Sequence, residues 1–281
     1  MITSEEAEEI LELIENWREK EKEKTMTQTI ECGKDSKIPD SGSLKFLIYG
    51  SSGVGKTFAL RTLPESMRPA LILDTDRGSR ALWKEEGLGT IATFDIMNKG
   101  KPVLYTQAMS TLQDMHSGKF NGIEYNTVVV DSYTVMHQAI TSYVMHKSLT
   151  GTGDKKLNRS TMDEPPTLPE YGIIGHLALK FIEALIQLNQ NLVVICHETA
   201  LVTDEVSGQT RGGPALPPKL ASQMPRYFDE VLYAKAKGKG SDRKYTWATR
   251  STGLFEARTR YHELDDEIEQ DFNVYEKRSE S

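Results

Sequence analysis

The chain has 281 residues, 38 % of them apolar and 27 % charged, so one large or two small soluble domains with a sizeable core are expected. No run approaches the ~20 uninterrupted apolar residues of a membrane span, and no basic leader opens the chain, so no membrane partner is expected. Two distant cysteines, Cys32 and Cys196, exclude a disulfide scaffold or a zinc finger and suit a cytoplasmic protein.

The net charge of −7 argues against a nucleic-acid binder, but its distribution reverses that reading. Residues 1–24 carry −5 and residues 261–281 carry −6, leaving +4 for the rest; within it, residues 206–250 reach +6. Phosphate binding responds to such a local field, not to the average.

Residues 1–24 read as an amphipathic, charged helix, with Ser4 as N-cap and Ala7, Ile10, Leu11, Ile14 and Trp17 on one stripe. The stripe packs either on its own domain or on a neighbouring subunit. Residues 25–43, with Gly33, Pro39 and Gly42, read as a linker. Strands are expected at Leu44–Tyr49, Ala70–Leu73, Thr127–Val130 and Leu192–Cys196, with a helix opening over Lys56–Leu63 and others at 105–117, 133–148 and 172–189. Short apolar runs alternating with helices imply a mostly parallel sheet covered on both faces. Residues 228–236 and 243–250 read as an antiparallel extension, and 261–281 as an acidic C-terminal tail.

Gly50-Ser51-Ser52-Gly53-Val54-Gly55-Lys56-Thr57 matches the G-x-x-x-x-G-K-[ST] loop between an expected strand and an expected helix. The glycines let main-chain N–H groups curl around a β-phosphate, beside the positive end of the helix that follows. Lys56 reaches the β- and γ-phosphates and the Thr57 hydroxyl ligates Mg²⁺, so ATP and Mg²⁺ are the expected cofactors. Val128-Val129-Val130-Asp131 is an apolar strand ending in the acid expected to hold the metal shell; the alternative is a loop Asp that caps the next helix. Asp74 and Asp76 end another strand, and one of them, Asp76 in preference, orients or deprotonates the attacking water unless both cap a turn before Gly78. His197 ends a fourth strand and either contacts the γ-phosphate or is a satisfied turn residue.

This order of loop, acidic strand ends and polar strand end, followed by Gly212-Gly213-Pro214-Ala215-Leu216, resembles the RecA/RadA ATPase core over roughly residues 44–260. It is most similar to the short phage-encoded nucleotide-binding proteins, some of which are single-strand annealing recombinases of the Sak type. The resemblance implies a RecA-like P-loop fold and an ATPase that binds single-stranded DNA and promotes annealing or homologous recombination. It implies head-to-tail self-assembly into a ring or filament, with a single-strand-binding or replication protein as a further partner class. It puts Asp76 where the family has a catalytic Glu and His197 where many members have a γ-phosphate-sensing Gln. It also makes residues 149–170 and 201–223 the two DNA loops. Phe255-Glu256-Ala257-Arg258 resembles the Lys-x-Arg element that reaches a neighbour's γ-phosphate; Glu256 replaces the Lys, so Arg258 is the finger, with Arg260 or Arg250 as substitutes.

The residues make a separate case for nucleic acid. The first long loop holds Lys155, Lys156 and Arg159; the second holds Arg211, Gly212, Gly213 and Lys219, and Tyr171, Tyr227 and Phe228 flank the pair; the alternative is a pair of solvated loops. Lys235, Lys237 and Lys239 alternate on an expected strand, as a phosphate track or as an exposed hairpin tip. Two other readings share the core: a DnaB-like helicase or replication loader, and a nucleotide-gated protein scaffold without DNA.

Overall fold

The computed structural model describes residues 43–116, 119–151, 159–203, 210–260 and 264–276. The N-terminal helix and all but the last residue of the linker therefore lie outside the described residues. The chain runs β1 (Lys45–Gly50), β2 (Ala70–Asp74), β3 (Gly89–Thr93), a hairpin of β4 (Met97–Asn98) and β5 (Lys101–Pro102), α1 (Leu104–His116), β6 (Thr127–Asp131), α2 (Tyr133–Thr150), α3 (Leu168–Ile186) and β7 (Asn191–His197). It continues through β8 (Val202–Thr203), β9 (Thr210–Arg211), α4 (Pro218–Gln223), β10 (Glu230–Lys237), β11 (Lys244–Ala248), β12 (Glu267–Glu269) and α5 (Asn273–Glu276).

Eight strands form one sheet in the order β12-β11-β10-β1-β7-β6-β2-β3, parallel from β10 to β3 and antiparallel at β11 and β12. The sheet is thus mostly parallel with a C-terminal antiparallel extension, as expected. Strands β1, β2 and β6 are buried at every position because both faces are covered, which is why they read as unbroken apolar runs. Leu47, Leu71, Val128 and Val194 face a core made with α1, α2 and α3, while Phe46, Ile48, Ile72 and Val193 face the opposite side. No helix among the described residues is long and apolar enough to cross a membrane.

The opposite face corrects two expectations. The helix after the phosphate loop is only a 3-10 helix, Phe58–Thr62, since Leu63 turns to an extended conformation before Pro64. The cover that a longer helix would give comes instead from residues 264–276, which are no solvated tail. Leu264, Phe272 and Tyr275 are buried there, and Phe46 makes edge contacts with Phe272 and Tyr275 at centroid distances of 5.3 and 4.9 Å. The buried Glu230 carboxylate accepts the Tyr275 hydroxyl at 2.9 Å, tying α5 to β10.

The helix expected at 172–189 begins earlier, at Leu168, where a Thr167/Glu170 capping box starts it with Pro169 in its first turn. The first long loop is correspondingly shorter. The second contains its own structure, the β8–β9 pair and α4.

Candidate nucleotide site

The loop from Gly50 to Thr57 leaves the C-terminal end of β1, where its glycines are required. A Cβ at Gly50 would stand 2.4 Å from the Ala234 carbonyl oxygen of β10, and Gly53 and Gly55 have φ of +73° and +91°. Alternation of this kind turns successive N–H groups to one side and makes an anion-binding curl. Because the following helix is one short 3-10 segment, the curl rests on loop amides and not on the dipole of a long helix. Ser51 and Ser52 are exposed on the loop, and Val54 is buried beneath it.

Lys56 is buried, and its Nζ donates to the carbonyls of Gly50 and Ser51 at 2.8 and 2.7 Å. Burial lowers its pKa, opposed chiefly by the nearby Asp131 carboxylate. The Thr57 hydroxyl donates to Asp131 Oδ2 at 2.6 Å, so the two expected metal-binding oxygens meet across 74 residues of chain. The Ser132 side chain takes the N-cap position of α2, accepting from the Val135 N–H, which leaves the Asp131 carboxylate facing the loop. Burial pushes the Asp131 pKa up to about 7; Asp76 and Asp74 add to the rise, and the Thr57 bond opposes it.

Both strand-end acids accept the Gly78 N–H and cap the turn there, as the alternative reading expects, and they differ in burial. Asp74 is buried and accepts from the N–H groups of Gly78 and Ser79 and from the Ser79 hydroxyl, so it organises the turn after β2. Asp76 stays exposed: its Oδ1 accepts the Gly78 N–H at 2.9 Å, and its Oδ2 lies 3.5 Å from His197 Nε2. His197 is in register with Gly50 across β1 and β7, which brings it to the mouth of the loop. Lys56, Thr57, Asp76, Asp131 and His197 thus converge at one edge of the sheet, where ligands of open α/β sheets bind.

Three supports of this site are not evident in the sequence. Glu198 accepts the Ser51 hydroxyl at 2.9 Å. Arg243 donates to the Gly53 carbonyl at 3.1 Å. Gln270, from the segment expected to be a tail, donates to the Val54 carbonyl at 2.9 Å and to the Thr246 carbonyl at 3.1 Å. The signal for Gln270 is the apolar spacing of Leu264, Ile268, Phe272 and Tyr275 among the acids, which marks a packed segment.

Arg258 donates from Nη2 to the carbonyls of Pro225 and Phe228 at 2.9 and 2.7 Å, and its backbone pairs with Val231. Its proposed substitutes are ion-paired within the chain, Arg260 with Asp229 at 2.8 Å and Arg250 with Asp266 at 3.2 Å.

Among the expected DNA contacts, Lys155 and Lys156 lie outside the described residues. Arg159 is a correction. Its side chain is 1 % exposed and forms a two-pronged bond with the fully buried Glu170, at 2.9 Å from Nε and 2.8 Å from Nη2. It also donates to the carbonyls of Thr161, Glu164 and Pro165, so it folds its own loop and has no donor left for phosphate. Gly212 is packed: a Cβ there would stand 2.4 Å from the Phe255 ring. Gly213 accepts the Thr199 N–H through its carbonyl, and Arg211 pairs through its backbone with Val202. Lys219 is exposed on α4. On the expected phosphate track, Lys235 and Lys237 both pair with Glu267, at 2.7 and 3.0 Å, and Lys239 is exposed beyond the end of β10.

A hydroxyl and a carboxylate oxygen in contact beside an ammonium suit a hard divalent cation carrying a polyphosphate. Thr57, Asp131 and Lys56 therefore fit Mg²⁺ and ATP.

A family model described as an AAA domain matches residues 43–261. No curated protein matches the chain. Among solved structures, a KaiC-like protein, PH0186, of Pyrococcus horikoshii is similar with a TM-score of 0.41 and 14 % identity, covering 79 % of this chain and 83 % of its own. The flagellar accessory protein FlaH of Methanocaldococcus jannaschii is similar with a TM-score of 0.41 and 11 % identity, covering 83 % and 86 %.

Proposed function

The chain belongs to the AAA domain family, and on that premise we propose that it is a Mg²⁺-dependent ATPase that assembles head to tail and acts on single-stranded DNA, annealing or recombining strands for a phage. The observation that carries the ATPase reading is the 2.6 Å contact between Thr57 and Asp131, held under the phosphate loop. When bound, Mg²⁺ neutralises charge on the β- and γ-phosphate oxygens. Lys56 exchanges its two loop carbonyls for phosphate oxygens. Asp76, fixed by the Gly78 N–H, orients the attacking water, with the His197 imidazole beside its other oxygen.

Calorimetry with ATP and Mg²⁺ tests this reading. The wild-type chain should release heat and turn over ATP, and Lys56→Ala should do neither. A Lys56→Ala protein that still binds and hydrolyses removes the assignment.

The DNA reading is supported by the +6 balance of residues 206–250 and by the exposure of Lys219, and it has lost Arg159 as a contact. The head-to-tail reading requires Arg258 to leave the Pro225 and Phe228 carbonyls for a neighbour's γ-phosphate. Arg258→Ala protein should then lose turnover with little change in ATP affinity, by up to ~10³-fold. Mixing it with Asp131→Asn protein should restore part of the activity, because mixed interfaces carry one intact site. A mixture no more active than its parts rejects the shared site.

A further inference from the structure

Between α2, α3 and α4 lies a groove of about 600 Å³ with a mainly apolar wall. The first long loop enters α3 at Leu168 and the second leads into α4 at Pro218, so the groove opens between the ends of both. Its α3 wall carries Tyr171, 53 % exposed, together with Gly172 and Gly175.

The two glycines need a reason. Glycine is the poorest helix former after proline, and these two sit three apart on one face of α3. A Cβ on either would meet nothing within 4 Å among the described residues, so packing against those residues does not demand them. They leave a flat wall beside an exposed aromatic ring. On the α2 side stands His137, whose Nε2 is buried without a hydrogen-bond partner among the described residues. Burial lowers its pKa, which favours the neutral ring, whose Nε2 donates or accepts according to the tautomer. The remaining polar lining is His176, Lys219 and Gln223, with no carboxylate. An apolar slot with a few convergent polar groups is the form of a small planar-ligand site, and a lining with a cation and no acid suits a ligand joined to phosphate.

We infer that this groove is a nucleobase slot, in which a base of single-stranded DNA stacks on Tyr171 against the Gly172–Gly175 wall while its phosphate meets Lys219. The inference rests on the single-stranded DNA reading above and deepens it by naming where a base, as opposed to the backbone, is held. Stacking of this kind is sequence-tolerant, because every base has a π-face.

The test measures fluorescence anisotropy of a labelled oligothymidylate and of an abasic deoxyribose-phosphate strand of equal length, using the full chain with Mg-ATP. Gly175→Leu fills the slot and Tyr171→Ala removes its platform; Gly175→Ala, which favours the helix, is the folding control. The wild type should bind oligothymidylate at least tenfold more tightly than the abasic strand. Each of the first two variants should lose about tenfold or more on oligothymidylate, with the salt slope, abasic binding and ATP turnover unchanged. Equal affinity of the wild type for both strands, or wild-type binding by Gly175→Leu, overturns the slot and leaves DNA binding standing. Loss of self-association by Gly175→Leu in sedimentation also overturns it, by showing the groove to be a subunit contact. Absence of binding to either strand removes the DNA reading and the slot together.

Discussion

Replacing Asp131 with Asn should cut ATP turnover by about 10²–10⁴-fold while the protein remains folded. The amide oxygen still accepts the Thr57 hydroxyl, so the local geometry survives, but the negative charge that would hold the cation is lost. Burial works against that charge, having pushed the carboxyl up to about 7. In EDTA at pH 8, thermal unfolding of Asp131→Asn should therefore occur at the wild-type temperature or above it. Loss of activity accompanied by a lower melting temperature would mean that Asp131 serves the fold and not the metal.

The second large effect lies outside the nucleotide site. Arg159→Ala should destabilise the chain by about 3–5 kcal/mol, because it leaves the Glu170 carboxylate buried without its partner. Calorimetry should register a melting temperature lower by roughly 10 °C. Adding Glu170→Gln should recover part of the loss, since the neutral amide can still accept from Thr167. The effect also has a pH signature. Arg159 holds the Glu170 carboxyl down to about 2 from an ordinary value of 4.5. The stabilisation is complete above the ordinary value and is lost as pH falls through 2, so the gap between wild type and Arg159→Ala should close over that range. A gap that is constant down to pH 2 would show that the pair contributes little.

The contrast between these two residues shows what the sequence makes legible. Asp131 follows three valines, so the buried strand and the residue's place at its end could be read from order alone. Arg159 stands in a Pro- and Lys-containing stretch where a solvated cation, a DNA contact and a buried pair look identical. What separates them is Glu170, 11 positions away, whose burial is a property of the folded loop. The phosphate loop was legible because its glycines are dictated by local φ and by the Ala234 backbone. Its buttress was not, because the Gln270 contact joins residues 216 positions apart. The helix expected after Lys56 failed on one residue, Pro64, whose effect on Leu63 outweighed the apolar spacing before it. Strand β3 was missed because Gly89-Thr90-Ile91-Ala92-Thr93 is a half-exposed edge with neither alternation nor a solid apolar run.

The link between Gln270 and Val54 bears on how the protein comes into being. Strand β1 and the phosphate loop leave the ribosome more than 200 residues ahead of the side chain that braces the loop from below and of the Phe272 ring that packs on Phe46. A nascent chain therefore displays the nucleotide-binding motif long before it has a finished cradle. The contact that completes the cradle forms only once the segment carrying Gln270 has been made.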